Sequence, residues 1–189
     1  MTVSTDYPRT LDLALAATRA GHLDEADKLL REASRLQPAE ALPHFLLGAN
    51  AAEAGRNDAA ESEYIACLSR APGMAIARFQ LGLLQVTNGR PAAGAATWEP
   101  LFLLDEREPL RHFAAGLVAI VRGDADAGRR SIETGIALNT DNPALNKDMQ
   151  GVLARVAALP RVTDDAQAEA PAGADPAADH VLLSAYRQS

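Results

Sequence analysis

The residues able to do chemistry are four histidines, one cysteine and a scatter of acids. Their spacing assembles no working set. His44 and His112 are far apart in the chain, His22 follows a glycine, and His180 lies near the carboxy terminus. No pair has the His-at-i-and-i+4 spacing, with Glu between, that holds zinc on a helix. The single Cys67 excludes an intramolecular disulfide framework and a cysteine-based zinc cage. Asp24-Glu25 and Asp124 with Asp126 read as helix starts, where negative charge is favoured locally. The glycines are isolated and form no phosphate-cradling loop. The expectation is a non-enzymatic chain with no cofactor and no metal. What remains is apolar recognition, carried by Phe45, Phe79 and Phe113.

The 189 residues suit one domain, or one domain with a tail. Hydrophobic residues make up 48% but aromatics only 4%, so the core must be Ala, Leu, Val and Ile. Lys+Arg 18 against Asp+Glu 25 gives a formal charge of -7. That balance argues against nucleic acid, whose phosphates need a basic surface, and against a polybasic membrane anchor. No apolar run reaches the roughly 18 residues of a transmembrane helix. Residues 1–10 lack the apolar stretch of a secretory signal, so a cytoplasmic protein is expected.

A repeat organises the rest. Gly21, Gly55, Gly89 and Gly123 step by 34 residues, as do Gly48, Gly82 and Gly116. Phe45, Phe79 and Phe113 keep the same step, and so do Leu13, Leu47 and Leu81. Each period reads as two helices joined at the glycine: Pro8 to Ala20 with Asp24 to Leu36, then Leu42 to Ala54 with Asp58 to Arg70. Gln37-Pro38 and Ala71-Pro72-Gly73 supply the stops. Asp24, Asp58 and Asp124 stand where an N-cap is wanted. Pro91 opens the third second helix, where a missing N–H is harmless. Pro100 then interrupts it, which should kink that helix or end it early. Either a tolerated kink on an outer surface or a change of superhelix curvature would follow. Cys67 falls in the register of Ala33, and Trp98 in that of Leu30 and Tyr64, so both are expected in the core.

Leu47-Gly48, Gly55, Ala60, Tyr64 and Pro72, with Leu13-Ala14, Gly21, Ala26, Leu30, Ala33 and Pro38, resemble the tetratricopeptide repeat family. The resemblance covers four units, 7–40, 41–74, 75–108 and 109–142, followed by a capping helix at 143–159, after an N-terminal extension at 1–6. It implies an all-α, right-handed superhelical solenoid of antiparallel helix pairs. Gly94 and Gly128 depart from the pattern at the Ala60 position, and Glu106 and Thr140 replace the closing proline.

By the same resemblance, the first helix of each pair lines a concave groove. Members that grip carboxylate ends of chaperones carry Lys, Arg and Asn there. Here those positions hold Leu11, Leu15, Phe45, Ala49, Phe79 and Leu83, continuing as Val86, Phe113, Leu117 and Ile120. Part of this stripe must pack between units. An exposed ladder of three rings would exceed the apolar patch a monomer tolerates, so the ladder is expected to hold an amphipathic helix or hydrophobic peptide. A charge at Phe45, Phe79 or Phe113 is then expected to abolish binding without loss of helicity.

After Leu159-Pro160 the composition changes. Residues 160–175 read as a flexible acidic linker with Asp164, Asp165 and Glu169. Residues 176–189 read as a short amphipathic helix bearing Val181, Leu182, Leu183 and Tyr186. Three roles stay open for it: an internal placeholder for the groove, the contact to a second copy, or a disordered tail serving an outside protein. The function expected is a protein-binding scaffold or adaptor. The alternatives are a dedicated chaperone for an apolar client, like the small acidic ones of bacterial secretion systems, and a self-assembling structural component.

Overall fold

The computed structural model describes residues 6–158; the tail, with Val181, Leu182, Leu183 and Tyr186, lies outside the described residues. The described residues are helical throughout. They form α1 (Asp6–Arg19), α2 (Leu23–Leu36), α3 (Leu42–Glu53), α4 (Asn57–Arg70), α5 (Ala75–Thr87), α6 (Pro91–Trp98), α7 (Pro109–Val121), α8 (Ala125–Leu138) and α9 (Pro143–Ala158), with a 3-10 segment at Glu99–Leu103. The chain divides within α5 into two compact units, one ending at Gln85 and the other beginning at Val86.

The four turn glycines have φ between 70° and 86°, a left-handed backbone that other residues adopt at a cost. The turn closes on itself. His22 N–H donates to the Ala17 carbonyl, and Arg56 N–H and Asp124 N–H repeat this onto Ala51 and Ala119. This tight reversal lets the next helix begin earlier than Asp24 and Asp58 predict. His22 and Arg56 occupy the N-cap positions, without a side-chain cap, and the two aspartates fall inside the first turn. Only Asp124 of the three caps its helix, its Oδ1 accepting from Ala127 N–H at 2.9 Å.

In the first unit, Ala14, Leu30 and Leu47 knit α1, α2 and α3 together. Ala51, Ala60, Tyr64, Leu81 and Leu84 do the same for α3, α4 and α5. Gly48 admits the Tyr64 ring, since a Cβ there would stand 2.7 Å from two ring carbons. Leu13 is 51% exposed, although Leu47 and Leu81 of the same register are buried. Among the described residues no helix precedes α1 to cover it, and Arg9 and Asp12 stand where α3 carries Pro43 and Leu46.

In the second unit, α6 stops at Trp98, two residues before the proline, and the chain continues as the 3-10 segment. Trp98 and Leu101 are buried. The next connection is held by Arg111, whose NH1 donates to the Leu104 carbonyl at 2.8 Å. Helix α8 is regular despite its departures from the repeat pattern. Without a closing proline, the Asn139 side chain donates to the Asn142 carbonyl and Asn146 Oδ1, both at 2.7 Å. Leu145, Met149 and Val152 form the buried face of α9, which packs on α8.

The crossing of α7 and α8 is closer than alanine allows. A Cβ on Gly116 would stand 2.9 Å from the Gly128 carbonyl oxygen, and the reverse holds equally. Gly128→Ala should therefore destabilise the protein by about 2 kcal/mol or more, against the roughly 1 kcal/mol gained from helix propensity. Chemical denaturation followed by circular dichroism would measure this.

Candidate functional site

The first helices carry the residues with binding potential, and the structure sorts them by burial. In the first unit, Leu11 and Leu15 of α1, Phe45 and Ala49 of α3, and Leu83 of α5 are half-buried. Phe79 is 0% exposed. In the second unit Val86, Phe113, Leu117 and Ile120 are all buried, Phe113 at 0%.

The expected ladder of exposed rings is therefore corrected. Phe113 sits over Gly135 of α8, where a Cβ would collide with its ring, so glycine on the second helix makes room for the phenylalanine of the first. Ile120 fills the matching space over Gly128. Phe45 lies 6.1 Å from Tyr64, ring centroid to ring centroid, tilted by 43°. It packs on two buried clusters, that of Tyr64 and that of Ala41, Cys67 and Ala77. In a chain with so few aromatics, these rings serve the core. A charge at Phe79 or Phe113 would consequently unfold the protein rather than merely block a groove.

Of the expected groove residues, those that remain half-buried all lie in the first unit. Leu15, Ala49 and Leu83 share one register at the 34-residue step. Leu11 packs against the Ala14, Leu30 and Leu47 cluster, and Phe45 is the half-buried ring. Thr18, one turn beyond Leu15, has a buried hydroxyl oxygen with no hydrogen-bond partner. Its register continues as Ala52, Val86 and Ile120, all apolar.

Polar pins that the apolar periodicity concealed join successive helices. Asp27 of α2 is buried and accepts from Asn50 Nδ2 at 3.2 Å and from Arg56 NH2 at 2.9 Å. Glu61 stands in the Asp27 register one repeat on and accepts from Gln85 Nε2 at 3.2 Å. Glu63 accepts from His44 Nδ1 at 2.7 Å, with Arg31 NH1 3.9 Å from its other oxygen. The signal was present in the sequence: an acid recurs at the same position of two second helices, each facing an amide on the following first helix. His44 is thereby a structural partner of α4. His112 is engaged elsewhere, its Nε2 2.6 Å from the Glu106 carbonyl oxygen.

Cys67 and Tyr64 favour their neutral forms. Burial pushes the Cys67 thiol up, and its Sγ lies 3.3 Å from Met74 Sδ. Burial first, and then the nearby Cys67, push the Tyr64 phenol up to about 12. Among the described residues no three His, Cys, Asp or Glu side chains converge to hold a metal ion. No described helix is long and apolar enough to cross a membrane.

Three substitutions test this assignment. Phe113→Ala should cost about 3–5 kcal/mol, as for a buried core ring, whereas Thr18→Val should leave stability unchanged or raise it by about 1 kcal/mol by removing an unpaired hydroxyl. Thermal and denaturant unfolding read both. Asp27→Ala should lose about 2 kcal/mol, since Asn50 and Arg56 both lose their acceptor.

No family model matches the chain, and no curated protein matches it. Among solved structures, the chain is similar to that described as the crystal structure of MamA, with a TM-score of 0.59 over 73% of this chain and 81% of that one. The two are 16% identical, so the likeness concerns the fold: an all-α array of tetratricopeptide-like helical repeats.

Proposed function

We propose that the protein is a non-enzymatic interaction scaffold of the cytoplasm, which holds an apolar helical segment on the first helices of its first unit. The observation that carries this reading is the row Leu15, Ala49 and Leu83, half-buried at one register on α1, α3 and α5. Leu11 and Phe45 extend its apolar character. Three apolar side chains repeated along one register form a row that suits the apolar stripe of an amphipathic helix. The buried phenylalanines and the second-unit residues Val86, Leu117 and Ile120 support the fold beneath and take no part in contact.

The tail is the nearest segment of suitable pattern. Val181, Leu182, Leu183 and Tyr186 offer apolar side chains on a short stretch, and the intervening residues provide a tether. In this reading the tail occupies the row weakly, in its own chain or in a second copy, and yields to a better ligand.

A labelled peptide of residues 176–189, added to a chain ending at Ala158, tests the reading by fluorescence anisotropy. Binding is expected, and Leu15→Glu or Leu83→Glu should weaken it about tenfold or more with helicity unchanged. Truncation should also raise the binding of a hydrophobic dye. If neither the peptide nor an apolar amphipathic helix of unrelated sequence binds, or if both variants bind as the parent does, the face is not a binding site.

A further inference from the structure

The 3-10 segment of the second unit presents an apolar knuckle outside everything assigned so far. Leu103 is 88% exposed, the most exposed large apolar side chain among the described residues. Its register in the other second helices holds Arg35, Ser69 and Ala137, all exposed, so leucine stands where the repeat faces water. The proline gives it a neighbour. In a 3-10 helix, side chains at i and i+3 eclipse, which sets Pro100 and Leu103 on one side of the segment. Both are exposed, and Phe102 and Leu104 beside them are half-buried. Isolated surface leucines are common and carry no message. Four consecutive or eclipsed apolar residues on one protruding turn form a patch.

The surroundings indicate what covers it. Glu99, Asp105, Glu106 and Glu108 are exposed around the segment, against Arg107 and Arg111. Arg111 is already committed, to the Leu104 carbonyl at 2.8 Å and to Glu106 at 3.8 Å. The rim therefore carries excess negative charge around an apolar centre. The same balance disfavours the acidic linker of this chain and anionic membrane surfaces as occupants, and residues 176–189, with one acid and one arginine, offer it no charge match. We infer that the knuckle of Pro100, Phe102, Leu103 and Leu104 is a docking surface for a basic amphipathic helix of a partner protein, whose apolar stripe covers Leu103 while its Lys and Arg meet the acidic rim. This surface shares no residue with the first-helix row and stands or falls independently of it.

The test uses the full chain and two labelled 18-residue helices, one of Leu and Lys and one of Leu and Glu with the same pattern. Binding of the Lys helix is expected, with little binding of the Glu helix. Leu103→Ser should weaken it about tenfold or more, as for the loss of one buried leucine. Leu13→Ser and Ile65→Ser remove the other two exposed large apolar side chains, 51% and 52% exposed, and should change nothing. Because all three positions face solvent, circular dichroism should be the same for every variant. Equal loss at all three positions, no loss at Leu103, or equal binding of both helices would overturn the proposal. So would a gain in affinity on deleting residues 159–189 that disappears in Leu103→Ser, since the tail would then be the occupant.

Discussion

The fold depends on how closely two helices of a repeat approach. Small residues at the crossing set that distance, and every other placement follows from it. In the second pair, Gly48 brings the α3 backbone against the Tyr64 ring. In the fourth, Gly116 and Gly128 bring two backbones together, and Ile120 and Ile132 close the remaining space. A larger first-helix side chain is matched by a smaller second-helix one, as with Phe113 and Gly135. Packing of this kind is complementary pair by pair, so no residue at the crossing can be judged alone.

This complementarity explains why Phe79 and Phe113 lie in the core. Aromatics are 4% of the chain, and the core needs volume. Alanine and glycine draw the backbones together but fill little space, so the few large rings go inside. Beside Phe45, the half-buried row on the first helices of the first unit is Leu15, Ala49 and Leu83, which makes any ligand face there flatter and less aromatic than the periodicity alone implies.

Most of the architecture was legible in the residues. The glycine step located the turn inside each of the four helix pairs, the prolines at 38 and 72 located two helix ends, and Pro100 located the break in α6. Cys67 and Trp98 are buried as their registers require. The sequence was least informative where side chains compete for one role. Asp24 and Asp58 look like caps, but the turn closes through backbone bonds and starts the helix before them. The phenylalanine register is apolar whether it faces a groove or a partner helix, and periodicity cannot distinguish the two. The contacts of Asp27 and Glu61 go unread: the recurring acid is visible in the sequence, but an apolar pattern does not single it out as buried against an amide on the next helix.

Helix α5 gives two of its leucines, Leu81 and Leu84, to the cluster around Tyr64, although it opens the third period of the sequence. The sequence period and the unit of packing are therefore out of phase. A gene fragment cut at the period boundary, just before Ala75, would strip the lid from Tyr64 and Ala60 and leave an oily wound on α4. Recombination or domain swapping in such arrays would have to break after a first helix rather than between helix pairs, so that each inherited piece carries its neighbour's cover with it.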